Sequence, residues 1–171
     1  MLHIYTGDGK GKTTCATGLA VRALGASLRV FFAQFIKDGS SSEITFLRQN
    51  GGENFTYFCR GRGKFIRNEP SPEDKALARE TLLALKEAVC SGHYDMVTGD
   101  ELLGAFHAKL LSEADVKEFL SFIQHYPEVE VILTGRNAPD FLTEAAGLVS
   151  EIACCKHYYI QGRPPKKGVE F

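Results

Sequence analysis

The chain has no tryptophan among its 171 residues, no excess of either charge, and no apolar run of bilayer length. Twenty Lys and Arg against 21 Asp and Glu leave a net charge of -1. That balance offers no basic groove for nucleic acid and little long-range steering of charged partners. A membrane span needs roughly 20 apolar residues. No stretch approaches that, so no membrane partner is expected. No basic and then apolar leader precedes the first candidate strand, so no secretory signal is expected. The expected location is the cytoplasm. The five cysteines, Cys15, Cys59, Cys90, Cys154 and Cys155, are odd in number and include no C-x-x-C pair. They fit no zinc pattern and read as small buried hydrophobes in a reducing compartment. No internal repeat or low-complexity tract interrupts the chain. With 44% apolar and 24% charged residues, residues 1–171 are expected to form one globular domain.

Apolar β-type runs alternate with helical patterns. Strands are expected at Leu2 to Tyr5, Leu28 to Ile36, Phe55 to Cys59, Tyr94 to Thr98, Val129 to Thr134 and Leu148 to Ala153. The run LRVFFAQFI is nearly continuous in apolar residues, which suits a parallel strand covered on both faces. Helices are expected at Lys12 to Leu24, Glu43 to Gln49, Ser71 to about Val89 and Ser112 to Gln124. Ser71-Pro72-Glu73-Asp74 and Ser112-Glu113-Ala114-Asp115 carry the cap, and the acids of a first helical turn. Asn137 is expected to cap a short helix with Pro139 in its first turn. Gly61 to Ser71 and the tail after Lys156 read as irregular. Strands spaced by helices, without hairpin signals, predict an α/β fold with a mostly parallel sheet flanked by helices. Ligands bind such sheets at the carboxyl ends of the strands.

One glycine-rich segment falls at such an end. YTGDGKGKTT leads from the first strand into the first helix. Backbone N–H groups of a glycine loop and of a helix start cradle polyphosphate. Gly7, Asp8, Gly9, Lys10 and Gly11 would form that loop. Lys12 would place a charge on the phosphates, Thr13 a hydroxyl on Mg²⁺, and Thr14 a second hydroxyl. The consensus G-x-x-x-x-G-K-[ST] begins with glycine, and here that place is Thr6. Asp100 and Glu101 follow the strand at Tyr94 and are candidate metal ligands. Their alternative is a solvated pair capping the next helix. Arg136, after ILTG, lies at the next strand end and suits a phosphate or carboxylate. Its alternative is an ordinary surface arginine. The histidines, His157 included, show no ligand spacing and read as structural. Lys166-Lys167 reads as an exposed pair.

These segments together resemble the ATP:corrinoid adenosyltransferases of the type that carries a phosphate loop. The matching stretches are YTGDGKGKTT, QFIK at Gln34 to Lys37, the Asp100-Glu101 pair, ILTGRNAPDFLTEAAGLVSEI at Ile132 to Ile152, and KH followed by KKGVEF at Lys166 to Phe171. Threonine in place of the first glycine is itself the family's form. The resemblance implies a RecA-like P-loop fold and, often, a homodimer. It implies ATP as co-substrate, Mg²⁺, and a cob(I) corrinoid: cobalamin, cobinamide or cobyrinic acid a,c-diamide. A flavoprotein reductase is the implied partner that supplies cob(I). The adenosyl group moves to cobalt and triphosphate leaves. Lys12 would then serve catalysis by stabilising the departing charge, Glu101 would serve it from the metal site, and Phe65 would pack on the corrin. The chain departs from the family pattern in reading GRGKFIRN where other members have a Trp-containing stretch, and MVTG before the Asp-Glu pair. It also starts close to its first strand, where some members carry a preceding segment. Two further readings stand beside this one. One is a P-loop kinase or ATPase, and the other is a relative that binds ATP or corrinoid without turning them over.

Overall fold

The computed structural model describes residues 1–63 and 69–170. Phe65 therefore lies outside the described residues. Six parallel strands form one sheet in the order β3-β2-β4-β5-β1-β6. They are β1 (Leu2–Thr6), β2 (Val30–Gln34), β3 (Phe55–Cys59), β4 (Met96–Asp100), β5 (Glu130–Thr134) and β6 (Leu148–Glu151). Among the described residues six α-helices connect and flank them: α1 (Lys12–Gly25), α2 (Ser42–Asn50), α3 (Pro72–Cys90), α4 (Leu102–His107), α5 (Glu113–Ile123) and α6 (Asp140–Ala145).

Alternation along β2 shows why the sheet is covered on both faces. Phe31 and Ala33 join one apolar cluster with Leu82 and Leu85 of α3, Leu103 of α4 and Phe119 of α5. Val30 and Phe32 join the other, with Ala16 and Ala20 of α1 and Ile44 and Leu47 of α2. All five residues of β2 are buried, as the continuous apolar run predicts. Each fully buried aliphatic or aromatic side chain stabilises by about 1.5–3 kcal/mol relative to exposure.

The helix starts follow from their first residues. At α3, Ser71 Oγ accepts from Asp74 N at 3.1 Å, and Ser71 N donates to Asp74 Oδ2 at 3.2 Å. At α5, Ser112 Oγ accepts from Asp115 N at 3.1 Å, and Ser112 N donates to Asp115 Oδ2 at 2.8 Å. Both are reciprocal capping boxes.

Several expectations are corrected. β4 runs two residues further along the chain than Tyr94 to Thr98, so Asp100 ends the strand itself. Gly99 weakens the apolar pattern because it is packed between neighbours. A Cβ there would meet Leu85 Cδ1 at 3.0 Å and Leu133 Cδ2 at 3.1 Å. β2 and β6 are shorter than expected, and α4 was not expected at all. Asn137 does not cap α6. It sits at φ 50°, and Pro139 takes the cap position. The tail holds one short 3-10 turn, Tyr158–Gln161. Of the five cysteines none is buried; Cys15, Cys90, Cys154 and Cys155 are exposed. They lie on outward helix faces and in the tail, away from either core. No helix among the described residues is long and apolar enough to cross a membrane.

Candidate functional site

The carboxyl ends of β1, β4 and β5 converge on a cleft of about 550 Å³. Its floor is the loop from β1 into α1. Gly7 and Gly11 have φ 93° and 125°, values that an L side chain rarely adopts. Gly9 is needed for a different reason. Its N donates to Ile152 O at 2.7 Å, and a Cβ would meet the Ile152 and Ala153 carbonyls at 2.7 Å. The backbone after β6 therefore clamps the loop from one side. Gly11 to Thr13, at the start of α1, line the cleft, and that first turn holds no acidic residue. Such a helix start attracts an anion.

Thr6 has a positive reason to be threonine. It is buried in β1 and its Oγ1 accepts from Ala138 N at 3.0 Å. This bond ties the loop after β5 to the start of the phosphate loop. Thr6 is absent from the residues with positive φ, so glycine is not needed there.

Lys12 is only 7% exposed. Its Nζ donates to Gly7 O and Gly9 O, each at 2.7 Å. Burial, and then the nearby Arg136 charge, lower its pKa from the usual lysine value. The ammonium thus sits inside the curl of the loop, where an anion would meet it.

Beside the loop, Asp100 is wholly buried at the end of β4. Its Oδ1 accepts from Thr13 Oγ1 at 2.9 Å and from Thr134 Oγ1 at 2.7 Å. Its Oδ2 accepts from Gln34 Nε2 at 2.8 Å and from Lys37 Nζ at 3.2 Å. Tyr57 OH donates to Gln34 Oε1 at 2.8 Å, and Lys37 Nζ also donates to Thr13 Oγ1 at 2.8 Å. Four donors surround one buried carboxylate and satisfy its acceptors. This excludes the solvated-cap alternative for Asp100. Glu101 does occupy the position before α4, but its side chain makes no cap bond there. It adopts the left-handed region, φ 62° and ψ 24°, and its N donates to Thr134 Oγ1 at 2.9 Å. Burial, and next the Asp100 charge, raise its carboxyl pKa.

The rim carries two further charged contacts. Arg136 Nη1 pairs with Asp8 Oδ1 at 3.0 Å, both side chains being exposed. Lys10 is not a free loop-tip cation. Its Nζ donates to Val169 O at 2.7 Å, Glu170 Oε1 at 2.9 Å and Tyr158 OH at 3.3 Å. The tail thus folds back, and His157, Gly168, Val169 and Glu170 line the cleft. His157 itself has a structural task, since its Nδ1 accepts from Tyr159 N at 3.1 Å.

The structure brings Gly7 to Thr14, Glu101 and Arg136 into or against one cleft, with Asp100 directly behind it. Sequence reasoning assigned no role to Gln34, Lys37, Tyr57 or Thr134. Gln34 and Lys37 stand in the QFIK stretch, whose polar ends flank an apolar pair. The register of β2 against β4 sets Gln34 opposite Asp100, and that pairing is what turns the polar end of β2 towards the carboxylate.

A glycine loop between β1 and α1, a lysine at its end, and a carboxylate on β4 with β5 between it and β1 define a RecA-like P-loop fold. Two solved structures share it. The flagellar accessory protein FlaH from Methanocaldococcus jannaschii aligns at TM-score 0.57 and 14% identity, covering 88% of this chain and 69% of that one. The RadB recombinase aligns at TM-score 0.53 and 16% identity, covering 89% and 73%. The sequence profile of the family described as ATP:corrinoid adenosyltransferase BtuR/CobO/CobP matches residues 1–171. The chain belongs to that family. It is 32% identical over 173 residues to a corrinoid adenosyltransferase of Pseudomonas aeruginosa, covering 100% of this chain and 83% of the relative. It is 32% identical over 171 residues to one of Escherichia coli K12, covering 100% and 85%. An uncharacterized protein of Nostoc sp. is 34% identical over 183 residues, but the chain spans only 48% of its length.

Proposed function

We propose that this protein transfers the 5′-deoxyadenosyl group of ATP to the cobalt of a cob(I) corrinoid and releases triphosphate. The observation that carries the reading is the buried Asp100–Thr13 contact beside the phosphate loop, in a chain that belongs to this family along its whole length. In the reaction, the cobalt electron pair attacks the ribose 5′ carbon. The C5′–O bond breaks and its electrons leave on the triphosphate. No proton has to be removed from the nucleophile, so no general base is required.

The chain's residues are suited to the departing charge. The amides of Gly7 to Thr14 and the Lys12 ammonium would hold the phosphate tail, with Lys12 exchanging its two loop carbonyls for phosphate oxygens. Arg136, released from Asp8, would add a second cation at the rim. Lys10 would act through the tail that it anchors, and Thr14 from the helix start.

A hard divalent ion fits beside Thr13. Its hydroxyl and the Asp100 carboxylate already flank one cation, the Lys37 ammonium, at 2.8 and 3.2 Å. Among the described residues no group of three His, Cys, Asp or Glu side chains could hold a metal without help. That suits Mg²⁺, which takes one or two protein oxygens and keeps phosphates and waters. Thr13, Asp100 and Glu101 would hold it, and when bound it would neutralise charge on the leaving triphosphate. Asp100, fixed by four donors, would orient the Thr13 hydroxyl. Glu101, less committed, would serve catalysis from the edge of the same site. The reading also includes a homodimer and a reductase that supplies cob(I).

The test is a product assay. The protein is mixed with ATP, Mg²⁺ and a chemically reduced corrinoid, supplied as cobalamin and, separately, as cobyrinic acid a,c-diamide. A light-sensitive adenosylcorrinoid together with triphosphate is expected. ADP would mean a kinase or ATPase, and ATP binding without product would mean a binding protein. In the same assay Lys12→Ala should lower turnover by about 10²–10³; an unimpaired variant would remove the loop from the reaction.

A further inference from the structure

The stretch KKGVEF carries part of the family resemblance, and adenosyl transfer leaves it without a task. Its residues Gly168, Val169 and Glu170 nevertheless line the nucleotide cleft. A single turn sets them there. Lys166 O accepts from Val169 N at 3.1 Å and from Glu170 N at 2.8 Å. Gly168 has φ 77°, and a Cβ there would meet nothing within 4 Å. The glycine therefore serves the turn and not a close approach. The turn delivers the Glu170 carboxylate to 2.9 Å from Lys10 Nζ, with the Glu170 side chain only 16% exposed.

Lys10 is the anchor of this whole segment. Among the described residues, the hydrogen bonds that tie residues 156–170 to the rest of the chain end on its ammonium. They come from Val169 O at 2.7 Å, Glu170 Oε1 at 2.9 Å and Tyr158 OH at 3.3 Å. The Tyr158 ring adds a cation–π contact, 5.9 Å from Nζ to its centroid. Lys10 also belongs to the glycine loop that lines the cleft. One ammonium therefore has two claimants. A phosphate chain would bring several negative charges to the place where Glu170 brings one, and like charges oppose each other's approach.

We propose that Glu170 is a competitor of the phosphate chain for Lys10. It stands on Lys10 in the cleft, gives it up when phosphates enter, and reclaims it as triphosphate leaves. The proposal rests on the adenosyl-transfer reading for the identity of that departing anion. Its use lies with the product. A loop suited to stabilise a leaving triphosphate also holds it afterwards. An internal carboxylate that takes back one of the cations lowers that affinity and favours release. Only ion contacts and hydrogen bonds are exchanged, and no covalent bond is made or broken. Because Lys10 is the anchor, losing it frees the segment to leave the cleft.

Inorganic triphosphate is titrated into the protein by calorimetry with no corrinoid present. Glu170→Gln should bind it about fivefold more tightly than wild type, the upper worth of a partly exposed ion pair. The gain should shrink as salt is raised. In a Lys10→Met background the same change should gain less than about twofold, because the carboxylate has then lost the anchor that keeps it in the cleft. Glu128→Gln removes an equal charge from an exposed site before β5, at the opposite end of the strands, and should leave the affinity alone. In the wild-type protein triphosphate should speed tryptic cleavage after Lys166 and Lys167, read by mass spectrometry. Unchanged or weaker triphosphate binding by Glu170→Gln overturns the proposal while leaving adenosyl transfer standing. So does a full gain without Lys10, or cleavage that ignores triphosphate. If triphosphate binding tightens as expected but no corrinoid is adenosylated, the parent reading fails and the competition for Lys10 stands.

Discussion

Replacing Lys37 by methionine keeps most of the side chain's length and removes the one full positive charge that touches Asp100. Asp100 is wholly buried and accepts four hydrogen bonds, three from neutral groups and one from Lys37 at 3.2 Å. A hydrogen bond to a charged group contributes about 1.5–3 kcal/mol. The Lys37 side chain is 35% exposed, so the lower part of that range applies and the expected loss is about 2 kcal/mol. For a chain of this size that lowers Tm by about 4–8 °C. The same vacancy leaves Thr13 and Asp100 facing the place where a cation stood, so Mg²⁺ alone should restore part of the loss. In the wild-type protein Mg²⁺ must displace an ammonium and should shift Tm little without ATP. Thermal melts with and without millimolar Mg²⁺, in the absence of nucleotide, read both effects. Lys37→Arg, which keeps the charge, should melt close to wild type. A Lys37→Met variant that melts like wild type and ignores Mg²⁺ would refute the place-holder role.

Two further predictions test the neighbouring residues. Thr6→Gly restores the consensus glycine but strands Ala138 N, so it should cost about 2 kcal/mol and leave ATP affinity no tighter; a variant of equal stability and tighter ATP binding would contradict the Thr6 bond. Glu101 has a folded pKa raised above its ordinary 4.5 by burial and then by Asp100. The native state therefore holds more protons than the unfolded chain above pH 4.5, and stability falls as pH rises through that window until the folded pKa is passed. Glu101→Gln removes this slope, so without ATP or metal it should gain on wild type as pH rises above 4.5 in urea titrations. A stability difference that does not change with pH would exclude the effect.

Much of this site was readable before its geometry was known, and the reasons are local. The glycine loop is a contiguous run, so its place between β1 and α1 is set by neighbouring residues alone. The capping boxes at Ser71 and Ser112 are likewise confined to four consecutive residues. The RecA-like parallel fold followed from the spacing of apolar runs and from the resemblance. What escaped depends on register between distant segments. Gln34 meets Asp100 because β2 and β4 align with those residues opposite one another. Thr134 joins them from β5, and Thr6 holds Ala138 across 132 positions. Gly99 and Thr98 disguised the end of β4 because both are buried there, as a small residue and a polar one. α4 is six residues long, shorter than two helical turns, so no helical period can establish itself. Lys10 and the tail meet only in three dimensions.

The ligand-free site has a consequence for the order of binding. Several strong groups facing the loop are already occupied by one another. Lys12 holds the Gly7 and Gly9 carbonyls, Thr13 and Lys37 hold each other and Asp100, and Arg136 holds Asp8. Phosphate binding therefore exchanges bonds and does not satisfy empty ones, and the net gain per bond is small. A metal ion alone gains little, because Lys37 already stands beside its ligands. A nucleotide alone gains little, because Lys12 must first leave two carbonyls at 2.7 Å. Arriving together they would change both terms: the metal would displace Lys37 towards the phosphates, and the phosphates would draw Lys12 from the loop. The two bindings should thus be mutually favourable, each raising the affinity of the other by the same factor. Titrating ATP into the protein with and without Mg²⁺, and Mg²⁺ with and without ATP, must give equal factors once the affinity of Mg²⁺ for free ATP is taken out. A factor of one in both directions would mean that Lys12 and Lys37 are not exchanged, and the cleft would then hold its nucleotide in some other way.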